Sequence, residues 1–235
     1  MNNRAGFLEK LESEVENCRR CSLYKTRTNI VFGAGPANAE LMIVSEAPGF
    51  NEDQKGVPFV GAAGELLNKL LKMTGLKREE SYICNILKCR PVTSNLENRP
   101  PRSEEIEACT PFLDQQIEIV KPKLIVTLGR YSASYILPKI GYSFRSMAGV
   151  HGKILRGHLF NNPVTVIPTY HPAAALYNPK YKDAIEEDFR VIGRELEKLF
   201  NTSRLRCGLS DRLWQVQEKK DMKLPRSIRS RQPIL

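Results

Sequence analysis

Four short runs of apolar residues, separated by longer stretches with helical spacing, constrain the fold of this 235-residue chain more than any other feature. Apolar runs of this length, bounded by polar or turn-forming residues, are typical of strands that are buried on both faces. Strands that alternate with helices predict a mostly parallel sheet with helices on both sides. We therefore expect an α/β fold with strands at Leu41–Val44, Tyr82–Leu87, Leu124–Leu128 and Val164–Pro168.

The segments between and around these runs have the three- and four-residue apolar spacing of amphipathic helices. The spacing predicts a helix before Cys18, a helix that ends near Met73, a short helix at Tyr131–Leu137 and a long one from Ile185 to Phe200. Residues 104–120 are also expected to be helical, with Pro111 either kinking the helix or starting a second one.

Unusual residues follow three of the predicted strands. SEAPGFNEDQKGVPFVG comes after the first, Asn85 and then KCRP lie at the end of the second, and TYHPAAAL follows the fourth. Ligands of parallel sheets bind at the carboxyl ends of the strands, so these segments are expected to form one site.

The six cysteines indicate a second site. Cys18 and Cys21 form a C-x-x-C pair, and Cys89 and Cys109 flank a loop rich in Pro, Asn and Ser that could fold back toward this pair. Four thiolates suit either zinc or an iron–sulfur cluster, and the spacing does not separate the two. The alternative is that the cysteines are buried as small apolar residues.

The charge of the chain suggests a polyanionic partner. Lys and Arg exceed Asp and Glu by 36 to 26, and residues 202–235 carry +6 of the resulting +10. No apolar run is long enough for a membrane span, and the first residues lack a signal-peptide core, so we expect a protein without membrane association that stays in the cytoplasm.

SEAPGFNEDQKGVPFVGAAG, YICNILKCRP, ENRPP and PTYHPAAAL together resemble the uracil-DNA glycosylase superfamily, and within it the iron–sulfur branch called family four. The resemblance implies a three-layer α/β/α sandwich with a central, mainly parallel four-stranded sheet. It also implies a 4Fe-4S cluster on Cys18, Cys21, Cys89 and Cys109, whereas Cys84 and Cys207 match no ligand position. It extends to about residue 200, so we expect a glycosylase domain at 1–201 and a basic, flexible tail at 202–235.

The same resemblance assigns roles within the uracil pocket. It implies that Phe59 stacks on the uracil ring, that Asn85 reads the edge of the base and that His171 stabilises the anion that leaves. Ser45, Glu46 and Ala47 match the motif that forms the rest of the pocket. Glu46 could position the attacking water, since Ala47 replaces the Asp or Asn that does so in relatives; the alternative is that Glu46 only orders the loop.

The expected activity is hydrolysis of the N-glycosidic bond of uracil in DNA by a monofunctional, monomeric enzyme. An alternative is a non-catalytic DNA-binding module built on a cysteine cluster, with iron–sulfur or zinc. Two features depart from the family: Tyr177 occupies a position where relatives often have arginine, and the stretch Pro91–Asn98 is longer than usual. The chain shows no clear sliding-clamp motif, although repair enzymes of this kind often bind a clamp.

Overall fold

The computed structural model describes residues 3–199, and these form a five-stranded sheet flanked by helices. The strands are β1 (Leu41–Ser45), β2 (Ser81–Asn85), β3 (Leu124–Leu128), β4 (Leu155–Leu159) and β5 (Asn162–Thr169). Their order across the sheet is β2-β1-β3-β5-β4, and all neighbours are parallel except β4 and β5. The predicted α/β class and mainly parallel sheet are confirmed.

The prediction of four strands is wrong, because β4 adds an antiparallel fifth at the edge. Its sequence LRGHL contains only two apolar residues, and most of its side chains are partly or fully exposed. An edge strand that is solvated on one side does not produce the apolar run of a buried parallel strand. It pairs with β5 through a two-residue turn in which Phe160 and Asn161 both have positive φ, as tight β-hairpins require.

Helices flank the sheet within residues 3–199, and the longer ones form where the apolar spacing predicts them. They are α1 (Arg4–Glu16), α2 (Phe50–Lys55), α3 (Ala62–Met73), α4 (Ser103–Val120), α5 (Arg130–Lys139), α6 (Met147–Val150), α7 (Pro172–Tyr177) and α8, which begins at residue 179 and is described to residue 199. Pro111 lies inside α4, which is one continuous helix. The short helices α2, α6 and α7 were not predicted, because two turns or fewer leave too little periodicity to detect.

Both faces of the sheet are covered. Met42, Val44 and Ile125 share a single apolar cluster with residues of α1, α4 and α5. The alternate strand residues Ile43 and Val126 point to the opposite face, and they are buried as well. Burial on both faces explains why the strands read as continuous apolar runs.

The strand order indicates where in the sheet a binding site is expected. From β1 the chain crosses to β2 on one side and later returns to β3 on the other side of β1, so the carboxyl ends of β1 and β3 form a switch point. Glu46, Asn85, Gly129 and His171 all lie at or just beyond the carboxyl ends of the four parallel strands.

The chain divides into two compact units, Met1–Arg194 and Glu195–Leu235. The expected boundary at residue 201 and the basic tail 202–235 lie outside the described residues. Within residues 3–199, none of the helices is long and apolar enough to cross a membrane.

Candidate functional site

A cavity of about 350 Å³ opens at the carboxyl ends of the strands. Five of the six residues predicted to form the uracil pocket line it, namely Glu46, Ala47, Phe59, Asn85 and His171. The sixth, Ser45, is the fully buried last residue of β1 and is not among the lining residues. The structure therefore brings three distant sequence segments together around one space large enough for a pyrimidine base.

Phe59 is held in an unusual backbone conformation. Its φ is +55°, and its ring is stacked near the imidazole of His171, with centroids 5.8 Å apart and planes 24° from parallel. Arg78 donates to the carbonyl oxygens of Phe59, at 3.1 Å, and of Pro58. A Cβ atom at Gly64 would lie 2.0 Å from the same Phe59 carbonyl oxygen. The ring is thus fixed by contacts to its backbone on two sides.

Gly64→Ala is expected to lower both stability and excision. In a helix this change normally stabilises by about 1 kcal/mol, but here the new methyl group collides with the Phe59 carbonyl and must displace the ring. We expect a loss of roughly 2 kcal/mol or more in the free energy of unfolding, measured by thermal denaturation. The matched control is Gly149→Ala in α6, where the nearest atom to an added Cβ is 3.6 Å away. Equal stability of the two variants would contradict the role of Gly64.

Asn85 carries a carboxamide that is buried in the cavity wall. The residue is 2 % exposed, and its Oδ1 atom has no hydrogen-bond partner among the described residues. Leaving such an acceptor unpaired costs roughly 1–3 kcal/mol, so the site is built to receive a donor. A ligand that brings an N–H or O–H donor into the cavity would supply this missing partner.

Lys88 links the cavity to the cysteines. Its buried ammonium donates to the backbone oxygen of Asn85 at 2.7 Å and to Oε1 of Gln116 at 2.6 Å. Its backbone N–H donates to the Sγ of Cys109 at 3.3 Å, and the next residue is Cys89. Burial lowers the pKa of Lys88, while the neighbouring thiols act in the opposite direction.

His171 is oriented by the helix that it begins. Its Nδ1 accepts the backbone N–H of Ala173 at 3.1 Å and caps α7. In the neutral ring the proton is then on Nε2, which is left as a donor. Burial lowers the pKa of His171 to about 4, so the ring is neutral at pH 7. Gly129, at φ +89°, packs against it: a Cβ there would lie 3.3 Å from that of His171.

Glu46 is the carboxylate of the cavity. It follows β1 directly, and its backbone oxygen accepts the N–H of Leu87 at 3.0 Å, which fixes its position next to β2. Burial raises the pKa of its side chain, and the positive charge of Arg130 acts in the opposite direction. A half-buried carboxylate without a hydrogen-bond partner in the described chain is available to a substrate or a water molecule.

Glu52 and Asp53 order the loop between β1 and α3. Glu52 accepts backbone N–H groups from Gly49, Val60 and Gly61 at 2.9–3.1 Å. Asp53 is buried and accepts the N–H of Thr28 at 3.0 Å. Glu52 thereby fixes the backbone that carries Phe59 to the cavity, and Asp53 anchors α2 to the segment at Thr28.

Four cysteines line a second, smaller cavity of about 20 Å³: Cys18, Cys21, Cys89 and Cys109. Arg27 donates to the Sγ of Cys89 at 3.4 Å. Burial disfavours the thiolate of Cys109 and raises the pKa of its thiol to about 12. A bound metal would stabilise the thiolate and lower this pKa. Cys84 is buried in β2 and does not line this cavity, and Cys207 lies outside the described residues.

The four thiols line one cavity, and their number and type suit either zinc or an iron–sulfur cluster. Four sulfurs on one zinc lie about 3.8 Å apart at the usual bond length. Within residues 3–199, no three or more Cys, His, Asp or Glu side chains have the geometry to hold one metal ion.

Sequence reasoning missed part of the cavity wall. Pro91, Asn98 and Arg99 line the cavity from the long loop between Cys89 and Cys109. Arg99 forms a two-pronged ion pair with the fully buried Glu105 in the first turn of α4. The motif ENRPP contained the signal, but only the fold shows that its Asn and Arg reach the cavity.

Comparison with known proteins agrees with this geometry. Residues 32–191 match the Uracil DNA glycosylase superfamily. The chain belongs to this superfamily. It is 48 % identical to the Type-4 uracil-DNA glycosylase of Sulfurisphaera tokodaii, over 91 % of this chain and 96 % of that protein. It is 45 % identical to the Type-4 enzyme of Archaeoglobus fulgidus over 79 % and 92 %, and 38 % identical to that of Thermotoga maritima over 84 % and 95 %.

These matches confirm the predicted family and its branch. They support a uracil-DNA glycosylase that acts in DNA repair, and they do not favour the alternative of a non-catalytic DNA-binding module.

Proposed function

We propose that this uracil-DNA glycosylase receives a flipped uracil between Phe59 and Asn85 and releases it with the help of His171 and Glu46. The observation that carries the proposal is the buried, unpartnered amide oxygen of Asn85 in the cavity wall. It accepts from N3–H of uracil while the amide nitrogen donates to O4. Cytosine presents the opposite pattern and leaves buried groups unpaired, so it is rejected; thymine shares the edge of uracil, and Asn85 does not discriminate against it.

The base is extruded from the stack and held by the Phe59 ring, whose place is fixed before the substrate arrives. Glu46 and Ala47 form an adjoining part of the wall, and Ser45, which is buried behind it at the end of β1, positions them. Because Ser45, Phe59 and Asn85 are buried in rigid surroundings, little ordering entropy remains to be lost on binding.

His171 stabilises the leaving group. As the bond between C1′ and N1 breaks, negative charge develops on the uracil ring and its O2, and the Nε2–H of neutral His171 donates to this oxygen. Glu46 stabilises the positive charge that develops on the sugar and positions a water molecule for attack on C1′. The water oxygen bonds to C1′, its proton is taken up by the carboxylate, and the products are uracil and an abasic site.

Cys18, Cys21, Cys89 and Cys109 would hold a 4Fe-4S cluster. The fit is supported by their shared cavity, by N–H donors to two of the sulfurs, and by the positive charges of Arg27 and Lys88 beside them. When bound, the cluster supplies a rigid covalent link between the N-terminal segment and both ends of the long loop. Its role here is structural.

The proposed substrate is uracil-containing DNA, and the proposed active form is a monomer that needs no lysine nucleophile and has no lyase activity. The basic residues 202–235, which follow the proposed glycosylase domain at 1–201 and lie outside the described residues, are proposed to add non-specific affinity for phosphates. No motif indicates a sliding clamp as a partner.

The assay that tests this function is uracil release from an oligonucleotide with a single uracil, followed by cleavage of the abasic site. The enzyme is expected to release uracil from U·G and U·A duplexes and to leave cytosine in place. Binding without release would contradict the proposal and favour the non-catalytic module.

The protonation of His171 gives a separate prediction. Its pKa in the folded protein, about 4, lies below the ordinary value of 6.5, so the ring stays neutral through the window between them. In that window the imidazole of the unfolded chain binds a proton and that of the folded chain does not. The contribution of His171 to the free energy of unfolding is therefore complete above about pH 6.5 and is lost as the pH falls toward 4. NMR of labelled imidazole should show a midpoint near 4, and the His171→Gln variant identifies the signal by its absence. A midpoint above 6 would contradict the neutral donor.

A further inference from the structure

The loop of residues 90–99, here called the 90–99 hairpin, forms a projection at the edge of the uracil cavity. Val92 pairs with Asn98 in an antiparallel bridge, and the N–H of Thr93 donates to the oxygen of Glu97 at 2.8 Å. Pro91, Asn98 and Arg99 of this hairpin line the cavity. Its base is therefore part of the pocket wall, and its tip lies a few residues away.

Leu96, at the tip, has an unfavourable backbone conformation and an unfavourably exposed side chain in the free protein. Its φ is +61°, a conformation that suits Gly or Asn, and its side chain is 62 % exposed. Asn95, directly before it in the sequence, is a residue type that adopts this conformation more readily. The exposed side chain lies outside the apolar cluster of residues 3–199, and backbone outliers of this kind cluster at functional sites.

The tip is held in place despite its exposure. Arg90 donates to the oxygen of Leu96 at 2.9 Å and to Oδ1 of Asn98 at 2.6 Å. The same guanidinium lies 5.2 Å from the centre of the Phe50 ring, itself 57 % exposed. An exposed leucine on a fixed backbone, an aromatic ring and a cation are residue types that together are typical of surfaces that contact nucleic acids.

We propose that the 90–99 hairpin is a second DNA-contacting element and that Leu96 packs against the bases left unstacked when uracil enters the cavity. The proposal rests on the proposed function, since it needs a flipped base. Glu97 beside Leu96 repels phosphates, which directs the contact to the base stack rather than the DNA backbone. Apolar wedges of this kind offset the unstacking that base extrusion requires.

Single-turnover excision from a U·G duplex and from the same strand without its complement tests the proposal. Leu96→Ala is expected to lower the duplex rate by roughly 5- to 30-fold, the effect of removing one leucine side chain from a contact. The single-strand rate should stay within about twofold, because no stack closes behind the base. Leu96→Gly removes the side chain and the strain together and should match Leu96→Ala, while Leu96→Met should keep most of the rate. Met73→Ala, another exposed apolar residue that does not line the cavity, is the control.

Three results separate the possibilities. An unchanged duplex rate in Leu96→Ala overturns the proposal, and an equal loss on both substrates overturns it as well, because that pattern indicates a disturbed pocket wall. A wild-type enzyme that releases no uracil from either substrate instead refutes the proposed function. Thermal unfolding of each variant verifies that the hairpin change leaves the fold intact.

Discussion

Asn85→Ala is expected to lower kcat/KM for uracil by roughly 30-fold to 10⁴-fold, because two polar groups of the base, O4 and N3–H, are then buried without partners at about 1–3 kcal/mol each. Stability should change little: the Oδ1 atom makes no bond in the free protein, and the backbone oxygen still accepts from Lys88. Asn17→Ala, an exposed site at the end of α1, is the control. Excision at the wild-type rate by Asn85→Ala would refute the base-reading role.

Asn85→Asp gives the complementary result. Burial favours the protonated carboxyl group, which donates to N3 of cytosine and accepts from its exocyclic amine. We therefore expect weak release of cytosine from duplex DNA together with reduced release of uracil. A variant that loses uracil excision and gains no cytosine excision would show that the amide position is right but its orientation is not.

Cys109→Ser is expected to have the largest effect on stability. A serine oxygen is a poor ligand for iron, so the protein should lose its visible absorption and most of its iron. Loss of a structural metal site costs on the order of 4 kcal/mol or more, which lowers Tm by roughly 8–16 °C in a chain of this size. Excision should fall with stability, since the loop that follows Cys89 lines the uracil cavity.

Cys84→Ser is the matched control, because Cys84 is equally buried but lines neither cavity. It should retain its iron per folded molecule, whatever its own cost in stability. Iron retained in Cys109→Ser and lost in Cys84→Ser would overturn the ligand assignment. Zinc with no visible absorption in the wild type would refute the cluster and restore the alternative that the spacing left open.

The sequence predicted the parallel strands because burial on both faces leaves an uninterrupted apolar run. Leu124–Leu128 was located to the residue, whereas β2 ends at Asn85 and not at Leu87. Ile86 and Leu87 follow β2 and are buried. Their backbone N–H groups donate to the oxygens of Ser45 and Glu46, but the two residues are not part of the strand, so their apolar character indicates burial and not strand geometry. β4 was missed for the opposite reason, since its stability comes from pairing with β5 rather than from its own apolar side chains.

The sequence predicted the site residues that belong to a recognisable motif. It did not predict the residues that only the folded chain brings to the site. Phe59, Asn85 and His171 were identified by resemblance, and all three line the cavity. Nothing in the sequence indicates that Arg78 holds the Phe59 backbone, that Gly129 packs against His171, or that Arg99 reaches the cavity from its pairing with Glu105. These contacts join residues far apart in the chain, and their side chains fit many other environments equally well.

The short segment that carries Asn85, Lys88 and Cys89 has a consequence for how such enzymes can diverge. One stretch of chain supplies the proposed base-reading Asn85, the buried Lys88 and Cys89, and the hairpin that follows lines part of the cavity. A related protein without the four cysteines would need substitutions at more than those four positions. It would have to replace Lys88, which is buried beside these cysteines, and re-anchor the loop at the same time. The proposed cluster and the pocket wall are therefore linked through one segment, so a change of the cysteines is expected to disturb the cavity as well.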